Sequence, residues 1–213
     1  MISPKITPFS SSLAARAMVK NFFRPNRIGD QAILQAFESV SKEAFTESQL
    51  AYTQEVLNNE LPPYSLAKAL QGLNLSKEDV LAYLGFDSGY GPCVSSLLVS
   101  KVYAIDTKES VEDFKSYEEY LPKNLTLLEA NDLFETPLAK DVTAIILSKA
   151  VIELPYEWIN SLTFGQRVAF FKPITRNLVK LCIGIKQNSF KIIEQEELTS
   201  GLLEQKNEQP FVF

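Results

Sequence analysis

From residue 78 onward, short apolar runs recur at similar intervals: "DVLAYLG", "KVYAID", "NLTLLEA" and "VTAIILS". Stretches of helical length separate them, "GPCVSSLLVS", "ESVEDFKSYEEYL" and "ELPYEWINSL". Strand and helix alternating at this spacing predict an α/β fold, a parallel sheet with helices on both faces. The texture then changes. "QRVAFFKP", "LVKLCIGIK" and "SFKIIEQEEL" follow with only short turns between them, which predicts antiparallel strands. The sheet is expected to start parallel and finish with an antiparallel C-terminal edge.

The first 75 residues carry helical periodicity instead. Ile33, Leu34, Phe37 and Val40 recur at helical spacing behind Asp30, a good N-cap, with Gly29 before it. Residues 11–23 predict another helix, stopping before Pro25. Leu66, Ala69, Leu70 and Leu73 form the stripe of a third, with Pro63 near its first turn. "AYTQEVLNNE" reads as a loop. The expected organisation is a helical N-terminal region, 1–75, packed on a core of 76–213, one structural unit overall.

Composition narrows the functional classes. The chain has 213 residues, 46% of them hydrophobic, enough to bury a sizeable core. A net charge of −5 and no long basic run argue against a nucleic-acid partner. No apolar run reaches the roughly 18–20 residues of a membrane helix. The first residues lack a signal peptide's continuous apolar stretch. Cys93 and Cys182 make neither a metal-type pair nor a disulfide framework, so a cytoplasmic setting is expected. The chain has no histidine. That removes the commonest general base and the commonest transition-metal ligand together, and no metal site is expected. Ser-His and Cys-His nucleophile schemes are excluded with it.

Ligands of such sheets bind at the carboxyl ends of the strands, near the switch in strand order. That places the turn at 85–90 in "LGFDSGYGP" beside Asp106. Glycine lets the backbone pass close to a ligand. An acid at the end of the second strand, about 20 residues on, can accept both vicinal hydroxyls of a ribose. Each feature has an ordinary reading too, since glycines make turns and aspartates cap helices. Together they point to a nucleoside site.

The order of segments resembles the protein-L-isoaspartate O-methyltransferases, S-adenosylmethionine-dependent enzymes that methylate isoaspartyl carboxylates in damaged proteins. The resemblance runs over residues 16–213. "LAYTQEVL" resembles the family's "A-Y-x-D-x-P-L", and "PPYSLAKAL" its "Q-P-Y-x-V-A-x-M". "LGFDSGYGPCVSSLL" resembles its cofactor loop "I-G-T-G-S-G-Y-x-x-A-x-L". "VYAID" is similar to its "V-x-x-x-E" strand, and "GQRVAFF" to "P-G-G-R-L-V-x-P". The resemblance implies a Rossmann-like methyltransferase fold, S-adenosylmethionine as cofactor and a protein or peptide substrate. It implies cofactor contacts from Gly85, Asp87, Ser88, Gly89, Tyr90, Asp106 and Asp132.

The departures are specific. Tyr83 stands where the family has an acid, and Asp87 where it has its second loop glycine. Leu133 follows Asp132 where the family has "G-D-G". The family's substrate loop "P-I-G-x-G-Q-T-I-S" is replaced by the shorter "NNEL" at 58–61, so its catalytic serine has no counterpart and the catalytic residues stay unassigned. Ser65 is near, but inside the predicted helix. Two main classes stay open. One is a carboxyl methyltransferase of altered or reduced activity. The other is a non-catalytic binding or scaffold protein that keeps the fold, has lost cofactor binding and serves a protein partner. An unrelated Rossmann-like domain is a third. Methyl transfer to a carboxylate needs no general base, because the acceptor is ionised at pH 7. The missing histidine is therefore compatible with that reaction, whose main demand is alignment.

Weaker signals have plainer expectations. Trp158 reads as core, Cys93 as a small buried residue, and "SYEEY" at 116–120 as a solvated helix face. Phe22 and Phe23 read as a buried pair beside solvated arginines. The terminal "EQPFVF" reads as a tail tucked onto the fold or serving a dimer contact.

Overall fold

The computed structural model describes residues 8–45, 61–86, 88–175 and 178–199. Asp87, the stretch 46–60 with all of "LAYTQEVL" and all of "NNEL" except Leu61, and the "EQPFVF" tail lie outside the described residues. Among the described residues seven strands form one sheet: β1 Val80–Leu84, β2 Lys101–Asp106, β3 Leu125–Glu129, β4 Ala144–Ala150, β5 Arg167–Thr175, β6 Leu178–Lys186 and β7 Phe190–Thr199. Their order is β3-β2-β1-β4-β5-β6-β7. Strands β1 to β5 pair in parallel. The pairs β5–β6 and β6–β7 are antiparallel. The strand order therefore reverses between β1 and β4, where open parallel sheets form their crevice.

Among the described residues six helices flank the sheet: α1 Leu13–Met18, α2 Gln31–Ser39, α3 Pro63–Leu73, α4 Tyr90–Ser96, α5 Lys108–Lys115 and α6 Tyr156–Ser161. Local chemistry sets their ends. The Ser12 hydroxyl accepts from Ala15 N at 3.0 Å to start α1. Asp30 Oδ1 accepts from Ala32 N at 2.8 Å and Ile33 N at 3.1 Å to start α2. Pro63 opens α3, where its missing N–H costs nothing. After Met18 the first helix widens over Val19–Phe23, with Arg24 N donating back to Val19 O. Val40 sits just past α2 in extended backbone, still fully buried.

Side-chain alternation along β1 divides the core in two. Leu81 and Tyr83 face a cluster with Phe23, Phe37, Leu66, Leu70 and Phe114. Ala82 and Leu84 face the opposite cluster, with Ile145, Phe170 and Trp158. Helices α2 to α5 cover the first face and α6 the second. At the amino ends of the strands, the Asp79 carboxylate gathers four elements. It accepts from Ser76 N at 2.7 Å, from the Thr143 hydroxyl at 2.7 Å and from the Arg167 guanidinium. Arg167 also donates to Leu73 O at 2.6 Å and Asn74 O at 2.8 Å, tying the end of α3 to β5.

One expected helix differs. "ESVEDFKSYEEYL" does not stay continuous: α5 ends at Lys115 and a tighter turn follows over Glu118–Tyr120. Ser116 N and Tyr117 N reach back only three residues, to Asp113 O and Phe114 O, which closes the α-helix early. The turn brings Tyr117 inward against Phe45 and Phe114, at centroid distances of 5.4 and 6.3 Å. "SYEEY" is thus not wholly a solvated face. Phe22 and Phe23 also part ways. Phe23 is fully buried, while Phe22 is half-buried edge-on to Tyr64.

Candidate functional site

Strand β1 delivers the chain to the carboxyl edge of the sheet at the reversal in strand order. Gly85 turns there with φ +78°, a conformation that glycine adopts without strain. Its N–H donates to Ile105 O at 2.9 Å, which pins the turn one residue from Asp106. The Ser148 hydroxyl, from β4, donates to Gly85 O and lies 3.2 Å from Leu84 O. Three strands therefore hold this turn.

Asp106 ends β2 with no exposed surface. Its Oδ1 accepts from Thr107 N at 2.7 Å and lies 3.7 Å from Lys149 Nζ. Lys149 comes from the end of β4. Its stem lies over Gly85, so a Cβ built there would meet Lys149 Cγ at 3.1 Å and Cε at 3.2 Å. A flexible lysine stem, rather than backbone, thus occupies the approach that the glycine leaves open.

The rest of the turn faces aromatic rings. Gly89 has φ +84°, and its N–H donates to Phe86 O at 3.1 Å. Phe114 of α5 stands over it, 5.4 Å from the Phe86 ring. The Tyr83 hydroxyl lies against Gly91, where a Cβ would come within 2.2 Å. Ser88 is half-buried, with its hydroxyl 3.4 Å from Tyr90 N. The Tyr90 side chain is fully buried between Phe37 and Phe45, with the Lys42 ammonium 5.6 Å from its ring centre.

Asp132 follows β3 at the same edge and is half-buried. Its Oδ1 accepts from Phe134 N at 2.7 Å and Glu135 N at 3.3 Å, so this carboxylate shapes its own turn. Leu133 is half-buried beside the second core cluster. Gly85, Ser88, Gly89 and Asp106 come together around one strand end. Tyr90 contributes backbone there while its ring joins the core. Ser65 is buried within α3.

Lys149, Ser148 and Phe114 were not singled out in the sequence. For Lys149 a signal existed, a lone cation closing the apolar strand "AIILSKA". Ser148 and Phe114 carried none, because contacts distant in sequence define their roles. Burial pushes the Cys93 and Cys182 thiols up, the opposite of an activated nucleophile. Among the described residues no group of three or more His, Cys, Asp or Glu is placed to hold a metal ion.

The arrangement suits a neutral, hydroxyl-bearing ligand. A carboxylate at a strand end can take paired hydroxyl donors, and the glycine turn beside it allows close backbone approach.

No protein-family model matches the chain. The protein-L-isoaspartate O-methyltransferase 1 of Geotalea uraniireducens is 26% identical over 181 residues, spanning 80% of this chain and 82% of that protein. The Vibrio vulnificus protein-L-isoaspartate O-methyltransferase is 33% identical over 101 residues, 43% of this chain and 48% of its own. Among solved structures, a Plasmodium falciparum chain assigned as a protein-L-isoaspartate O-methyltransferase, in complex with S-adenosyl-L-homocysteine, superposes with a TM-score of 0.67. It is 16% identical, with 87% of this chain and 94% of that one covered, a likeness of fold.

Proposed function

Because this chain is a diverged member of the protein-L-isoaspartate O-methyltransferase family, with the S-adenosylmethionine-dependent methyltransferase fold, we propose that it binds that cofactor at the carboxyl edge of β1 and β2. The reaction is methyl transfer to a carboxylate of a protein or peptide. One observation carries the reading: the Gly85 N–H bond to Ile105 O sets a glycine turn directly beside the buried Asp106 carboxylate.

In this reading Asp106 holds the ribose hydroxyls. Gly85 and Gly89 let the backbone approach, and Ser88, Asp87, Tyr90 and Asp132 complete the surroundings of the nucleoside. The bound cofactor supplies a methyl group on a sulfonium, already a good leaving group. The chain has no proton to remove from an ionised acceptor, so its work is to hold, align and exclude water. The family's catalytic serine has no counterpart here, and the activity is altered or reduced accordingly. The expected setting is cytoplasmic. No helix among the described residues is long and apolar enough to cross a membrane.

A second reading has its own support. Lys149 already faces Asp106, and Phe114 already covers Gly89. A site satisfied by its own side chains suits a scaffold protein that has lost the cofactor and serves a protein partner.

Isothermal titration with S-adenosylmethionine and S-adenosylhomocysteine separates the two. Micromolar binding of either supports the nucleoside site, and methylation of an isoaspartyl peptide then tests the reaction. Silence at millimolar ligand, with the protein shown to be folded, rejects cofactor binding and favours the scaffold.

A further inference from the structure

Strand β4 is irregular where it passes the site. Its pairing with β5 shifts register between Ile146 and Ala150, a segment that contains Ser148 and Lys149. Such irregularities re-aim side chains. Here both side chains turn toward the end of β1: the hydroxyl reaches Gly85 O, and the lysine stem lies over the glycine itself. The ammonium finishes 3.7 Å from the Asp106 carboxylate, whose side chain is fully buried, while 37% of the Lys149 side chain stays exposed.

We propose that Lys149 is a specificity-determining residue that makes the nucleoside site favour a neutral thioether over a sulfonium. The inference rests on the nucleoside reading given above and deepens it. A buried carboxylate needs a compensating cation, and Lys149 supplies one from within the chain. A ligand whose ribose engages Asp106 must therefore share the site with this ammonium or displace it to nearby solvent. A neutral ligand meets no charge conflict. A sulfonium brings a second positive charge into a partly buried site, where like charges repel more strongly than in water. S-adenosylhomocysteine and S-adenosylmethionine differ there by one methyl group and one charge, so they report this term directly.

The test compares wild type, Lys149→Met and Lys149→Arg by isothermal titration with both ligands, and follows ligand-free thermal unfolding of each. Wild type should prefer the thioether. Lys149→Met should shift the ratio of the two affinities toward the sulfonium by about tenfold, and Lys149→Arg should keep the wild-type ratio. An unchanged ratio in Lys149→Met overturns the proposal while leaving the nucleoside site standing. Binding of neither ligand to any of the three folded proteins overturns the nucleoside reading and this inference with it. The ligand-free proteins give a separate readout. Lys149→Met should lower the unfolding midpoint, and adding Asp106→Asn should recover part of the loss. A midpoint unmoved by Lys149→Met shows that the pair does not form in solution, and the proposal falls.

Discussion

The Phe114 ring stands over Gly89 so closely that a Cβ on that glycine would lie 2.3 Å from it. The backbone there already has φ +84°. Gly89→Ala therefore meets two penalties, left-handed strain and a displaced buried ring. The expected loss is about 2–4 kcal/mol, read as a lower midpoint in chemical denaturation. Adding Phe114→Leu should return part of it, because the smaller side chain removes the clash. Equal stability of the single and double variants would show that strain alone matters.

The staple at Asp79 predicts a dependence on pH. Burial raises its carboxyl pKa, but the hydrogen bonds from Thr143 and Ser76 and the Arg167 guanidinium outweigh it and hold the pKa below the ordinary value. A carboxyl that is more acidic when folded stabilises fully above the unfolded value, about 4. That contribution fades as pH falls through the depressed native value. Asp79→Asn should cost about 1–3 kcal/mol at neutral pH. The gap to wild type should close only below about pH 4. A gap that stays constant down to pH 2 would reject the linkage.

Trp158 is 3% exposed, edge-on to Phe134 at 5.4 Å, and its indole N–H meets no acceptor among the described residues. Its contribution is therefore that of an apolar ring. Trp158→Phe should cost well under half of what Trp158→Ala costs, the latter about 3–5 kcal/mol. As the chain's only tryptophan it also reports unfolding, with blue-shifted native emission that moves red as the ring reaches water.

Both cysteines are buried, and burial suppresses their thiolates. A chromogenic disulfide reagent should find no rapidly reacting thiol in the native protein and two in denaturant, the full cysteine count. One fast native thiol would show an opening that the fold does not display.

The fold was legible because each element obeys a local rule. Apolar runs such as "VLAYL" have strand length, and Leu66, Ala69, Leu70 and Leu73 share one helical face, all buried. Short turns after β5 and β6 announced the antiparallel edge. In "SYEEY" the charges rightly indicated solvent for Ser116, Glu118, Glu119 and Tyr120, which are exposed, but not that Tyr117 packs on Phe45 and Phe114, far away in sequence or on the preceding helix. At the candidate site, Gly85 and Asp106 stood out because strand-end glycines and acids have a recognisable spacing. Lys149 did not. Its meaning depends on β4 lying beside β1 and on a register shift that only strand pairing creates. Ser148, 64 positions from Leu84, was hidden for the same reason.

The interior position of β1, between β2 and β4, also has a consequence for biosynthesis. Leu81 pairs with Ala144, and Lys68 of α3 bonds Glu196 of β7 at 2.9 Å, 128 residues along the chain. Helices α2 and α3 leave the ribosome before any of the strands they cover. Their apolar stripes must wait, and pairings this distant close slowly. Nascent chains halted before Ala144 should remain open to proteases, with protection arriving only once β4 and β5 have emerged. During that interval the apolar stripes of the first helices stay open to water and to other chains, because the sheet that buries them is not yet complete.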